Sequence, residues 1–302
     1  MFGQIMEFRG LVGNTPLLRL SLVEKYFSLK ASLFAKLERC NFTGSVKDRP
    51  ALFMINDLEE RGLIREGDYI IEATSGNMGI SMSAIALRRG YRPVVVMPES
   101  ASEGRKRIIR SLGAELILTD GGMSEARGVA ERLRDEREGV SLNQFENPMN
   151  TYSHYSTTGP EIYDALSGRV DYFVAGVGSG GTIGGVGQYL KEKIPGVKVV
   201  AVEPTEAAIL SGGSVGKHSI EGIGAGFLPT ILDKNAINEV VTVNFDEASE
   251  CVKMLAAREG LGVGISSGAA LFACLKIASR EESVGKVIVT IFPDGIEKYL
   301  TY

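Results

Sequence analysis

Three short segments of this chain gather the groups that could hold and activate a small anionic ligand. The first is Ser45-Val46-Lys47-Asp48-Arg49, at the predicted start of a helix. A cation is disfavoured at a helix N-terminus, so Lys47 stands where its neutral amine is easier to reach, and a neutral amine is what Schiff-base chemistry needs. The second is Thr74-Ser75-Gly76-Asn77-Met78-Gly79, between a predicted strand and a predicted helix. Its hydroxyl, amide and backbone donors at a helix N-terminus suit a carboxylate, although Thr, Ser and Asn are also ordinary helix caps. The third is Gly178-Ser179-Gly180-Gly181-Thr182. Glycines let backbone N–H groups crowd around an anion, the helix that follows adds its positive end, and Thr182 adds a hydroxyl, which together make a phosphate cup.

The third segment has a second reading. Gly176-Val177-Gly178-Ser179-Gly180-Gly181 also fits the G-x-G-x-x-G fingerprint of dinucleotide folds, and Glu203 ends the next predicted strand, where a ribose would be held. That reading makes the chain an oxidoreductase. The segment alone leaves both open.

The elements that must position these loops alternate short β-branched runs with amphipathic stretches, which implies α/β architecture with mostly parallel strands. Strands are predicted over 33–37, 69–73, 93–97, 115–118, 171–177, 197–202 and 286–292. Helices are predicted over 48–60, 78–89, 102–112 (its Arg and Lys side chains facing solvent), up to about 138, and over 157–166, 182–193, 246–259 and 268–279. The glycine-rich stretch 211–229 reads as an ordered loop. Two βα series joined near residue 150 predict two lobes with a ligand in the cleft between them, at the C-terminal ends of the strands.

Bulk properties narrow the function. The 302 residues are 44% hydrophobic and 23% charged with a net charge of −4, and the basic residues are scattered, which argues against a nucleic-acid partner. Cys40, Cys251 and Cys274 lie far apart, and His154 and His218 are the two histidines, so no metal centre is expected. No signal peptide and no apolar run of the ~20 residues that span a membrane is visible, so a cytoplasmic enzyme is the expectation.

Taken in order, these segments resemble the cysteine synthase/cystathionine β-synthase family of fold-type-II pyridoxal-phosphate enzymes. The resemblance covers nearly the whole chain, through Gly13-Asn14-Thr15-Pro16-Leu17, the Lys47 and Asn77 segments and Thr158-Gly159-Pro160-Glu161-Ile162. It continues through the glycine cup, Glu221-Gly222-Ile223-Gly224 and Gly264-Ile265-Ser266-Ser267-Gly268. It implies a fold like that of the tryptophan synthase β-subunit, with a smaller lobe over 41–149 and a larger one over 1–40 and 150–302. It implies pyridoxal 5'-phosphate bound to Lys47, with Gly178, Ser179, Gly180, Gly181 and Thr182 on its phosphate, Asn77 on its ring hydroxyl and Ser266 at its ring nitrogen. Thr74, Ser75, Gly76, Asn77 and Gln144 would hold the substrate carboxylate, and Gly222 would line the pocket beside the ring.

The implied activity is β-replacement, giving L-cysteine from O-acetyl-L-serine and sulfide through an α-aminoacrylate. Lys47 would move the α-proton. A serine at the ring nitrogen, unlike a carboxylate, does not strongly favour its protonation, which favours loss of the β-group over transamination. A homodimer is implied, and these enzymes can dock a serine acetyltransferase tail. Phe42, Met78 and Gly104 depart from the family's usual Pro, Thr and Glu. The missing hydroxyl at Met78 removes a carboxylate contact worth roughly 1 kcal/mol. Cystathionine β-synthase activity and O-phosphoserine as donor are the alternatives within the class, and a non-catalytic partner-binding homologue is the alternative outside it.

Overall fold

Runs such as Val94-Val95-Val96-Met97 are apolar at every position, which suits strands covered on both faces. The computed structural model describes residues 8–300. Among them, strands β1 (Leu17–Arg19), β2 (Ser32–Leu37), β3 (Tyr69–Ala73), β4 (Arg92–Pro98), β5 (Glu115–Thr119), β6 (Tyr172–Gly176), β7 (Lys198–Pro204), β8 (Glu239–Val243) and β9 (Val287–Phe292) form two sheets. The smaller sheet has the order β3-β4-β5, the larger β1-β2-β9-β6-β7-β8. All pairings are parallel except that of β1 with β2.

The helices are α1 (Ser21–Tyr26), α2 (Asp48–Glu60), α3 (Asn77–Arg88), α4 (Glu103–Leu112), α5 (Met123–Glu136), α6 (Pro148–Ser153), α7 (Gly159–Ala165), α8 (Gly181–Lys193), α9 (Phe245–Glu259) and α10 (Ile265–Ala278). Alternate strand residues separate the layers. In the larger sheet, Val174, Val200 and Ile288 face α1, α9 and α10, whereas Phe173, Val199 and Val289 face α7 and α8. In the smaller sheet, Ile70, Val95 and Met97 face α2, α3 and α4, whereas Ile71, Val94 and Val96 face α5.

Most predicted elements stand within a residue or two of the observed ones. Four small elements were not foreseen: the edge strands β1 and β8 and the helices α1 and α6. The helix expected over 157–166 is α7, entered through a π-helical turn, His154–Thr158. Helix α10 begins three residues before 268, which brings Ser266 into its first turn. Among the described residues no helix is long and apolar enough to cross a membrane.

Candidate active site

The loops at the C-terminal ends of β3, β6 and β9 meet around one cavity of about 520 Å³. Lys47, Thr74, Ser75, Gly76, Asn77, Gln144, Gly178, Ser179, Gly180, Thr182, Gly222 and Ser266 all line it. Gly181 does not. A Cβ there would collide with the side-chain amide of Asn150, so this glycine makes room for a neighbour behind the loop.

Lys47 directly precedes α2. The chain before it is pinned to the end of β9, with Val46 N–H donating to the Pro293 carbonyl at 2.8 Å and Ser45 bridging to Asp294. Its Nζ lies 3.4 Å from Ser179 Oγ, which also accepts from Asn150 Nδ2 at 2.9 Å. Burial pushes the Lys47 amine down to about 8, because the charged form loses water. Desolvation, rather than the helix end, is the cause.

Several helices start at this cavity, and before α3, α5 and α8 the N-cap is a glycine that lines it: Gly76, Gly122 and Gly180. None is capped by a side chain, so their first N–H groups remain available to a ligand. By contrast, α9, whose start does not line the cavity, carries a full capping box, with Asn244 and Glu247 exchanging bonds of 2.9 Å. Gly180 takes φ +86, a left-handed conformation open to glycine. At Gly178 a Cβ would strike the Gly222 carbonyl oxygen, so the glycine loop and the 220–224 loop pack backbone to backbone.

Around this frame the polar groups are ordered from behind. Thr182 Oγ1 lies 3.2 Å from His154 Nε2, whose Nδ1 is 2.9 Å from Thr158 Oγ1. Burial, reinforced by the Arg49 charge, pushes His154 down to about 3, so it stays neutral. Asn77 Nδ2 donates to Asp294 Oδ2 at 2.7 Å, and Tyr299 OH donates to the same oxygen at 3.0 Å. Asn77 Oδ1 is buried and has no protein partner among the described residues. Met78 is buried in the core cluster around α3 and also lines the cavity, so the departure at this position changes both the packing and the cavity wall.

Sequence reasoning missed Asp294, Tyr299, Arg105, Glu221 and His154. Asp294 follows β9, a junction of the same kind as the loops singled out, and that signal was available. Arg105 corrects an expectation: Arg105 and Lys106 of α4 do not face solvent but are buried. Arg105 Nη1 pairs with Glu221 across the cavity, and its Cζ stands 5.2 Å over the Tyr299 ring. Lys106 Nζ turns back to Glu103 at 2.6 Å and to the Glu99 carbonyl. Amphipathic spacing could not reveal the burial of Arg105, because its partners come from distant segments, whereas those of Lys106 are local.

Glu203 tests the dinucleotide reading. Its two oxygens accept from Leu210 N–H at 2.8 Å and from Ser211 N–H at 2.9 Å and its hydroxyl, and it does not line the cavity. It caps its own loop. A second hollow of about 230 Å³ lies behind Gln144, beside Glu72 and Ser141, and includes neither Lys47 nor the glycine loop.

The profile of the family "pyridoxal-phosphate dependent enzyme" matches residues 8–294, and the chain belongs to that family. It is 42% identical to a cysteine synthase of Staphylococcus aureus (strain Mu50 / ATCC 700699) over 294 residues, 96% of this chain and 94% of that protein. Its structure is similar to that of a cysteine synthase from Entamoeba histolytica, with a TM-score of 0.95, 38% identity, and coverage of 99% of this chain and 90% of that one. An O-ureido-L-serine synthase matches with a TM-score of 0.93 at 38% identity over 99% of this chain and 95% of that one. The site fits the cofactor: a buried amine of lowered basicity, an uncapped glycine loop and the unpaired Asn77 Oδ1 share one cavity.

Proposed function

We propose that this chain forms L-cysteine from O-acetyl-L-serine and sulfide, with Lys47 as the cofactor-bearing and proton-transferring residue. The observation that carries the reading is Lys47 itself: a buried amine, brought down to about 8, on the wall of a cavity that also holds the glycine loop and the start of α3. Bound pyridoxal phosphate supplies an electron sink that makes a Cα–H acidic and lets a β-substituent leave. The chain's own residues do the rest. The glycine loop, Gly178 to Thr182, and the positive end of α8 hold the phosphate, with Thr182 oriented by His154. Ser266 would face the ring nitrogen, and Asn77, fixed by Asp294, would hold the ring hydroxyl.

Thr74, Ser75, Asn77 and Gln144, with Gly76 at the uncapped start of α3, take the substrate carboxylate. That carboxylate orients Cα toward Lys47, whose neutral amine accepts the proton and later returns it. Gly222 leaves the space beside the ring open.

Two lobes, over 41–149 and over 1–40 with 150–302, are part of this proposal. Their support is that β3, β4 and β5 pair only with one another among the described strands. A homodimer is proposed as well, supported by a surface cluster of Tyr152, Tyr155 and Tyr189 in which Tyr152 is exposed. A cytoplasmic setting and docking of a serine acetyltransferase tail are carried by resemblance alone.

Incubating the holoenzyme with sulfide and, side by side, O-acetyl-L-serine, O-phospho-L-serine or serine tests the reading. Cysteine is expected to form fastest from the acetyl ester; its absence with every donor would overturn the proposal. The amine predicts a pH profile too. Only neutral Lys47 attacks an aldehyde, so loading of the apoprotein should speed up as pH rises to about 8 and then level off. A rate still climbing toward about 10.5, the range of an exposed lysine, would contradict the burial argument.

A further inference from the structure

We propose that Glu221, through its ion pair with Arg105, sets the charge of the β-substituent that the cavity takes, favouring an uncharged substituent over a dianionic one. The inference rests on the β-replacement reading above and goes on to say what selects the donor.

Both partners are held in place. Arg105 is 4% exposed on α4, with its Cζ over the Tyr299 ring and Nη1 reaching the Ser75 carbonyl at 3.4 Å. Its Nε has no acceptor among the described residues. Glu221 stands between Ile220, which is in the core, and Gly222, whose carbonyl packs on Gly178 and whose φ is +92. The backbone at 221 is therefore clamped, yet the Glu221 side chain is 43% exposed at the cavity wall.

The two charges are unequal in consequence. A buried guanidinium without a partner is strongly unfavourable and attracts an anion, whereas a half-exposed carboxylate can be satisfied by water. With Glu221 present, Arg105 is neutralised, and a phosphate entering beside Ser75 meets a carboxylate at the wall. With Glu221 made neutral, Arg105 becomes the strongest anion-binding group beside the carboxylate loop. Discrimination of this kind comes from the repulsive group as much as from an attractive one.

Glu221→Gln removes the charge and keeps the shape. The quantity to measure is the ratio of kcat/KM for O-phospho-L-serine to that for O-acetyl-L-serine, with sulfide as the nucleophile. Both donors carry the same α-carboxylate, so the ratio isolates the β-substituent. It should rise by about 10-fold or more in E221Q, in line with the effect of removing one like charge at a partly buried site. Adding Arg105→Met to E221Q should abolish the rise. A ratio unchanged within about twofold in E221Q, or a rise that survives the second substitution, overturns the proposal.

A second readout does not depend on turnover: binding of inorganic phosphate to the holoenzyme, followed by the cofactor's visible band, should tighten in E221Q and weaken again in the double variant. If wild type makes cysteine from neither donor, the β-replacement reading fails. Phosphate binding still reports the charge choice, and equal affinity in wild type and E221Q then counts against it.

Discussion

Lys47→Ala is expected to lower turnover by at least about a thousandfold, as removal of a covalent and proton-transferring group does. It is also expected to leave the fold intact or slightly more stable. Among the described residues, Lys47 is the one lysine lining the cavity. Its amine gains a 3.4 Å contact to Ser179 and loses its hydration, so its charged form is a cost to the folded protein. Ser179 Oγ keeps the bond from Asn150 Nδ2 when Lys47 is gone. Activity and melting temperature should therefore part company. Hydride trapping of the wild-type holoenzyme should place the label on the peptide that contains residue 47. Turnover near the wild-type level in the variant, or a label elsewhere, would defeat the assignment.

Arg49→Met should destabilise the protein by about 3–5 kcal/mol, the usual result of stripping one partner from a buried ion pair. The Arg49 side chain is fully buried, and Nε and Nη2 reach the Glu38 carboxylate at 2.7 and 2.9 Å. Nη1 and Nη2 also reach Glu161 at 2.6 and 2.8 Å. Burial alone would push the Glu38 carboxyl up; the Arg49 guanidinium more than offsets this and holds it at about 2. The pH dependence follows from that sign. In wild type, Glu38 contributes stability that is complete above its unfolded value near 4.5 and is lost as pH falls toward about 2. In the variant, Glu38 is buried without its cation, so the cost is largest above pH 4.5 and shrinks on acidification, as the carboxyl becomes neutral. Denaturant unfolding at neutral pH and near pH 4 would show the gap narrowing. Adding Glu38→Gln should recover part of the loss at neutral pH, because it removes the stranded charge.

The parts of the fold legible in sequence were those with a strong local signal. Strands such as β4 and β6 read as unbroken apolar runs, and the loops after β3 and β6 read from glycines and hydroxyls at strand–helix junctions. Edge strand β8 was missed because Glu239-Val240-Val241-Thr242-Val243 has water on part of one face and follows a polar loop. The start of α10 was misplaced because Ser266 and Ser267, poor interior helix formers, occupy its first turn, where Ser266 faces a cavity that local sequence does not reveal. The Arg105–Glu221 pair spans 116 positions, and the Asn77–Asp294 bond 217. No local pattern encodes such separations. Periodicity assigned Arg105 to solvent because a charged side chain on an amphipathic helix usually is there, and only the tertiary structure supplies the carboxylate that lets it be buried.

Strand β9 is the last strand among the described residues, yet it occupies an interior place in the larger sheet, with β2 on one edge and β6 on the other. During translation, the three-stranded unit over 69–119 has all its pairing partners early, whereas the larger sheet is split in two until residues 287–292 leave the ribosome. A message cut short upstream of that point yields a polypeptide with two unsatisfied edges facing a gap one strand wide, a form open to proteolysis and to strand exchange with its neighbours. Completion of the larger sheet is thus tied to β9. Ordering of the Asn77 amide at the cavity is tied to the same event, because Asp294, which holds it, arrives two residues after β9 ends.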